Sequence, residues 1–240
     1  MNPFIPQVVQ ELLSRPVSYY REHPSEPASG KAPLTNVAFI LDCSGSMSSG
    51  KAATIEGFNA QVQTVKQGAE GAGRTTYTDV QFSSDVDIRK LAGALDQMEP
   101  LTEETYVTEG STALLDALGS TVAALLQTED IHSPDTAMLV TVFTDGEENA
   151  SRIYVGTVIK DMVERLEATG RWTFALVGPQ KTVHGLADLL SVRLENVSGY
   201  DERFASEKTR AMARVEKANL RFMASRKQGM TKVDKLFDEI

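Results

Sequence analysis

From residue 34 onward the chain alternates between two hydrophobic patterns. Short, almost unbroken apolar runs at residues 37–41, 137–143 and 172–177 predict strands buried on both faces, as in parallel sheets. Between them apolar residues return every three or four positions. Ile55, Phe58, Val62 and Val65 predict a helix over 51–69, and Leu114, Leu118, Val122 and Leu125 one over 113–126. Further helices are expected over 154–168 and 182–190, with a last edge strand over 192–197. Residues 75–82 and 86–91 flank Ser83-Ser84-Asp85 and read as a hairpin. Strands alternating with helices predict an α/β fold: a doubly wound, mostly parallel sheet, covered on both faces, with one antiparallel edge strand.

The flanks follow other patterns. Val8, Val9, Leu12 and Leu13 predict a short helix over 4–15, and Pro16, Pro24, Pro27, Gly30 and Pro33 make 16–33 an extended linker. A long helix is expected over 201–228, with Met212, Val215, Ala218, Phe222 and Met223 as its packing stripe and Gly229 as its C-cap. Thr231 is expected to cap a last helical turn carrying Val233, Leu236 and Phe237. The expected organisation is an arm (1–33), a central domain (34–199) and a helical extension (200–240). The arm is too polar and proline-rich to form a core of its own, so it is expected to dock on its own domain or on a neighbour.

Composition narrows the function classes. Apolar residues make up 41% of 240, enough for a sizeable core, and the net charge of −9 argues against non-specific binding to nucleic acid or anionic membrane. The charge is uneven: residues 201–240 hold ten Lys/Arg against seven Asp/Glu, a net of +3 that leaves −12 on residues 1–200. Cys43 is the single cysteine, which fits a reducing compartment. No apolar run approaches the roughly 20 residues of a membrane span, and the first eleven residues lack a basic and a long apolar region. A soluble, cytoplasmic protein is expected.

The chemistry concentrates at Asp42-Cys43-Ser44-Gly45-Ser46, directly after the first apolar run. One carboxylate and two hydroxyls thus emerge at every second position where a buried strand stops. Open α/β sheets bind ligands at that edge, and oxygen-only donors suit a hard cation such as magnesium. Gly110-Ser111-Thr112 places a hydroxyl at a loop–helix junction, and Thr144-Asp145-Gly146 places a carboxylate after the strand predicted at 137–143. If the two strands are neighbours, Asp42, Ser44, Ser46, Thr112 and Asp145 converge.

Asp-x-Ser-Gly-Ser, Gly-Ser-Thr-Ala-Leu and Thr-Asp-Gly, in this order and spacing, resemble the three parts of the metal-ion-dependent adhesion site (MIDAS) of von Willebrand factor type A domains. The resemblance covers about residues 34–199. It implies a Rossmann-like fold and an intact site in which Ser44 and Ser46 bind magnesium directly. Thr112 would bind directly or through water, and Asp42 and Asp145 mostly through water or hydrogen bonds. Manganese or calcium could replace magnesium, and an Asp or Glu of a protein partner often completes the coordination. Gly-Ser-Thr-Ala-Leu-Leu-Asp-Ala and Phe-Thr-Asp-Gly-Glu-Glu-Asn look most like soluble bacterial or phage members. Glu147 and Glu148 are expected to be solvated carboxylates near a helix start.

Two other readings compete. Gly45-Ser-Met-Ser-Ser-Gly50-Lys51 fits the first part of a phosphate-binding loop, but Ala52 stands where the magnesium-binding Ser or Thr of an NTPase belongs. A structural or assembly component with an architectural metal, self-assembling through 1–33 and 201–240, is the alternative of another class. No nucleophile–base pair is evident: His23, His132 and His184 are isolated, and Cys43 is expected to be buried. The expectation is therefore metal-dependent, non-catalytic protein–protein recognition.

Overall fold

The computed structural model describes residues 4–23, 33–128 and 131–237. Two short helices, α1 (Gln7–Leu13) and α2 (Val17–Glu22), precede strand β1 (Leu34–Asp42). A 3-10 turn (Gly45–Gly50) leads into α3 (Lys51–Gly68), and β2 (Arg74–Phe82) and β3 (Val86–Ala94) follow as a hairpin. Then come α4 (Leu114–Leu125), β4 (Ala137–Phe143), α5 (Gly156–Ala168), β5 (Trp172–Pro179), α6 (Gln180–Leu190), β6 (Val197–Tyr200) and α7 (Ala205–Lys227).

The strands form one sheet in the order β3-β2-β1-β4-β5-β6. All neighbouring pairs are parallel except β2 and β3. Both central strands, β1 and β4, are buried along their whole length, which is why their sequences read as unbroken apolar runs. Side chains of a strand alternate between its faces. Thus Ala38 and Ile40 join the core under α4 and α5, while Val37, Phe39 and Leu41 join the core under α3 and α7. The α/β architecture and the antiparallel edge strand agree with the pattern of the sequence.

Both flanks pack onto this sheet. Ile5, Val9 and Leu12 are buried in the same core as Ile159 and Met162 of α5, so the arm docks on its own chain. On the other face, Val215, Ala218, Phe222 and Met223 of α7 share a core with Phe58, Val62 and Val65 of α3. Asn219 donates to the Gln61 side chain at 2.7 Å, and Gln61 donates to the Met212 carbonyl at 3.0 Å, so this helix pair also carries a buried polar link, in which Asn219 Oδ1 is left without a partner.

Four local expectations need correction. Residues 17–22 are helical rather than extended: Pro16, itself extended (φ −68°, ψ 158°), stands just before the first turn and its carbonyl accepts the Tyr19 amide at 3.1 Å; linker residues 24–32 lie outside the described residues. The last strand is Val197–Tyr200, not 192–197, since Leu194–Asn196 closes into a 3-10 turn whose buried Asn196 accepts the Leu236 amide. Residues 231–237 form no helical turn: the Val233 amide donates to Thr173 and the Phe237 amide to the Glu195 carbonyl, strapping the segment across the sheet end. Helix α7 starts at Ala205 because Asp201 accepts the Arg203 amide and holds residues 201–204 in a turn.

Candidate metal centre

Strand β1 sits between β2 and β4, so the chain leaves it toward one side and later returns on the other. Such a point of reversal opens a crevice at the carboxyl ends of the strands. Leu41 of β1 pairs with Phe143 of β4, which sets Asp42 beside Thr144. Asp42 is fully buried; its Oδ1 accepts the Ser44 amide at 2.7 Å and its Oδ2 accepts the Thr144 hydroxyl at 2.6 Å. Burial pushes this carboxyl above its ordinary pKa, against the hydrogen bonds from Thr144 and Ser44, and the nearby Asp145 charge adds to the rise. Tyr106, itself buried, donates its hydroxyl to the Asp42 carbonyl.

The 3-10 turn after β1 brings the two serines together. Ser44 Oγ lies 3.1 Å from Ser46 Oγ, and Ser46 Oγ donates to Asp145 Oδ1 at 2.6 Å. Thr112 reaches the same place from the loop before α4. A Cβ placed on Gly146 would lie 3.1 Å from Thr112 Oγ1 and 3.6 Å from Ser46 Oγ, so both hydroxyls border one point. The backbone ties the three segments pairwise: Gly45 N to Gly110 O at 3.0 Å, and Asn149 N to Thr112 O at 3.0 Å. Gly178 of β5 lets the Thr144 loop pass, since any Cβ there would collide with the Thr144 carbonyl.

Asp42, Ser44, Ser46, Thr112 and Asp145 thus meet at one sheet edge. All five side chains carry oxygen, and three are uncharged hydroxyls, a set that fits the chemistry of a hard divalent cation. Among the described residues no group of three or more His, Cys, Asp or Glu is placed to hold a metal, so a cation at this edge would depend on the hydroxyls.

Neither a protein-family model nor a curated protein matches the sequence. Solved structures do. Von Willebrand factor type A from Catenulispora acidiphila aligns with a TM-score of 0.51 at 15% identity, over 78% of this chain and 43% of that one. The fold is that of a von Willebrand factor type A domain. Proximal thread matrix protein 1 from the mussel byssus, in a form with a zinc-occupied MIDAS motif, gives 0.52 at 18% identity over 79% and 46%. Manganese-loaded Plasmodium vivax TRAP protein gives 0.53 at 15% identity over 76% and 73%. The chain spans less than half the length of the first two. The three come from a bacterium, a mollusc and a protozoan, so the likeness is one of fold and does not favour the bacterial or phage type.

Several residues that build this edge of the von Willebrand factor A fold had no voice in the sequence pattern. Glu148 is not a solvated carboxylate. Its Oε1 accepts the amides of Ala150 and Ser151, and its Oε2 accepts the Leu115 amide and the Ser151 hydroxyl, which joins the start of α4 to the loop after β4. Glu147 is exposed, as expected. Asn149 accepts the Thr112 amide at 2.9 Å and so sets that hydroxyl. Asp116 takes the amides of Arg152, Ile153 and Tyr154 at 2.7–2.9 Å and shapes the same loop. Thr144 and Asp116 lie inside the matched segments, so their presence was visible and their roles were not. Lys208 of α7 donates to the Gly50 carbonyl at 3.3 Å; burial lowers its pKa and the Asp145 charge opposes that. No local signal marks it.

Proposed function

We propose that this protein recognises a protein partner through a divalent cation, with no catalytic step. The cation is magnesium in the cell, with manganese or calcium able to replace it. Ser44 and Ser46 hold it directly, Thr112 directly or through water, and Asp42 and Asp145 through water and hydrogen bonds. The partner supplies an Asp or Glu. Neutral hydroxyl ligands leave much of the ion's charge uncompensated, and a carboxylate is the natural complement to that charge. The observation that carries the reading is the link from Ser44 through Ser46 to Asp145, which joins oxygens of two separate motifs into one cluster. A bacterial or phage origin is part of the proposal; it rests on the two segments Gly110–Ala117 and Phe143–Asn149, which resemble those of soluble members of that type, and not on the solved structures.

Other observations support recognition over chemistry. Lys51, the lysine of the phosphate-loop pattern, is paired with the Glu103 carboxylate at 2.9 Å and also donates to its carbonyl, and the preceding residues are wound into a 3-10 turn. The Cys43 thiol donates to the Phe82 carbonyl, and burial pushes its pKa up to about 11. The His132 ring contacts the Leu126 carbonyl at 3.1 Å, at the other end of α4 from Thr112.

Calorimetric titration with Mn²⁺ and Mg²⁺, followed by acetate as a stand-in for the partner's side chain, tests the reading. Saturable metal binding is expected, lost in Ser44→Ala/Ser46→Ala, with acetate binding only to the metal-loaded protein. Absence of saturable binding, or equal binding by the double variant, would overturn it.

A further inference from the structure

At the opposite end of the sheet, where β5 begins, a cavity of about 410 Å³ lies between the α1–α2 pair and the segment around Leu126, Leu166 and Trp172. Arg15 and Arg171 both line it. Arg171 is only 7% exposed. Its Nη1 is committed to the carbonyls of Ile131 and Ser133, at 2.5 and 2.9 Å. Its Nε is buried with no acceptor, and among the described residues no carboxylate lies within ion-pair distance of the guanidinium. Burial alone lowers its pKa, with no neighbouring acid to oppose the shift.

A buried charge left without a counter-ion is expensive, and proteins rarely keep one without a use. The rest of the wall fits an acid as the missing partner. Arg15 is stacked 4.2 Å over the Tyr19 ring and forms no ion pair among the described residues. Glu11 is the only acid among the described lining residues; its Oε1 accepts the Gln7 amide at 2.8 Å, and it makes no ion pair with Arg15 or Arg171 among the described residues. His23 and His132 each spend one ring nitrogen on a carbonyl, at 3.0 and 3.1 Å. Most of the remaining lining is apolar or aromatic, with Leu12, Leu126, Leu166, Tyr20 and Trp172, and the Thr169 hydroxyl is spent on the Leu166 carbonyl at 2.6 Å.

We propose that this cavity binds a small carboxylic acid with an aromatic or short aliphatic body. The carboxylate takes the Nε–Nη2 edge of Arg171, which is the edge a planar guanidinium offers to a bidentate acid. Arg15 adds charge, and the body packs against Trp172 and the three leucines. Nε is closed to solvent, so the acid must displace part of the wall and not merely a water molecule. The site is separate from the hydroxyl cluster and does not depend on a metal.

Trp172 is the chain's single tryptophan and lines the cavity, so intrinsic fluorescence reports its occupancy. The full chain is titrated with phenylacetate, phenyl phosphate and the neutral phenethyl alcohol. A saturable change is expected with phenylacetate, weaker with phenyl phosphate and absent with the alcohol. Arg171→Met should weaken phenylacetate binding at least about tenfold, and Arg15→Ala should weaken it a few-fold. If Arg171→Met does not fold, Arg171→Lys decides, since it keeps the charge and loses the fork. No saturable response, an equal response to the alcohol, or unchanged affinity in Arg15→Ala and the folded Arg171 variant would overturn the proposal. Tighter binding of phenyl phosphate would overturn the carboxylate assignment.

Discussion

Two carboxylates show how much the environment of a single residue decides. Glu148 accepts four hydrogen bonds from the loop that positions Thr112 and the start of α4. Truncating it strands three amides and a hydroxyl, so Glu148→Ala should cost about 2–4 kcal/mol, read as a lower urea midpoint. Glu148→Gln keeps the acceptor oxygen and should recover part of the loss; an unchanged midpoint in the alanine variant would refute the role. Asp79 of β2 is the opposite case. Burial pushes its pKa up to about 6, although Arg89 lies 3.9 Å away, and Oδ1 has no partner. The folded protein therefore holds this proton more tightly than the unfolded chain, where an Asp titrates near ~4. The stability that Asp79 contributes is complete below that value and is lost as pH rises through about 6. Asp79→Asn should thus melt higher than the parent at pH ~7.5, by about 1–2 kcal/mol, with the gap shrinking at pH ~5. A gap that grows on acidification would contradict this.

Helix-scale packing turns on two glycines of α3. A Cβ on Gly57 would stand 2.7 Å from Met212 Cγ, and one on Gly68 would stand 2.9 Å from Met223 Cγ, so α7 lies close against α3 where these residues have no side chain. Each large side chain that α7 buries here, such as Phe222, contributes about 2 kcal/mol. Gly57→Leu should therefore push α7 away and lose about 1–3 kcal/mol, with faster proteolysis within α7. Gly57→Ala should be milder, because Met212 is flexible; equal stability of the leucine variant would show that α7 does not need this contact. The apolar stripe of α7 was legible as a helical repeat. What it packs against was not, because periodicity reports that a face is buried and not by what. The helix over 17–22 was missed for a related reason: proline density suggested an extended chain, whereas Pro16 sits at a helix start.

Across the whole molecule, one sheet edge gathers the hydroxyl cluster and the other a charged cavity, on a scaffold in which both terminal segments pack against the central sheet. All five candidate site residues were legible, because each stands at the end of a strongly periodic element within a short recognisable segment. Their supports were not. Glu148, Asn149 and Tyr106 act through hydrogen bonds to residues distant in sequence, and nothing in a one-dimensional pattern assigns such partners.

The sequence by itself determined the alternation of strands and helices, the two-faced burial of β1 and β4 and the chemical type of the five oxygen-bearing side chains. Each of these depends on a residue and its near neighbours, through side-chain periodicity and chemical type. The tertiary structure alone decided that β1 and β4 are adjacent, which brings Ser46 within 2.6 Å of a carboxylate 99 positions away. It also decided that Arg171 is enclosed with no ion-pair partner among the described residues, in a cavity formed where α1 and α2 pack over the start of β5.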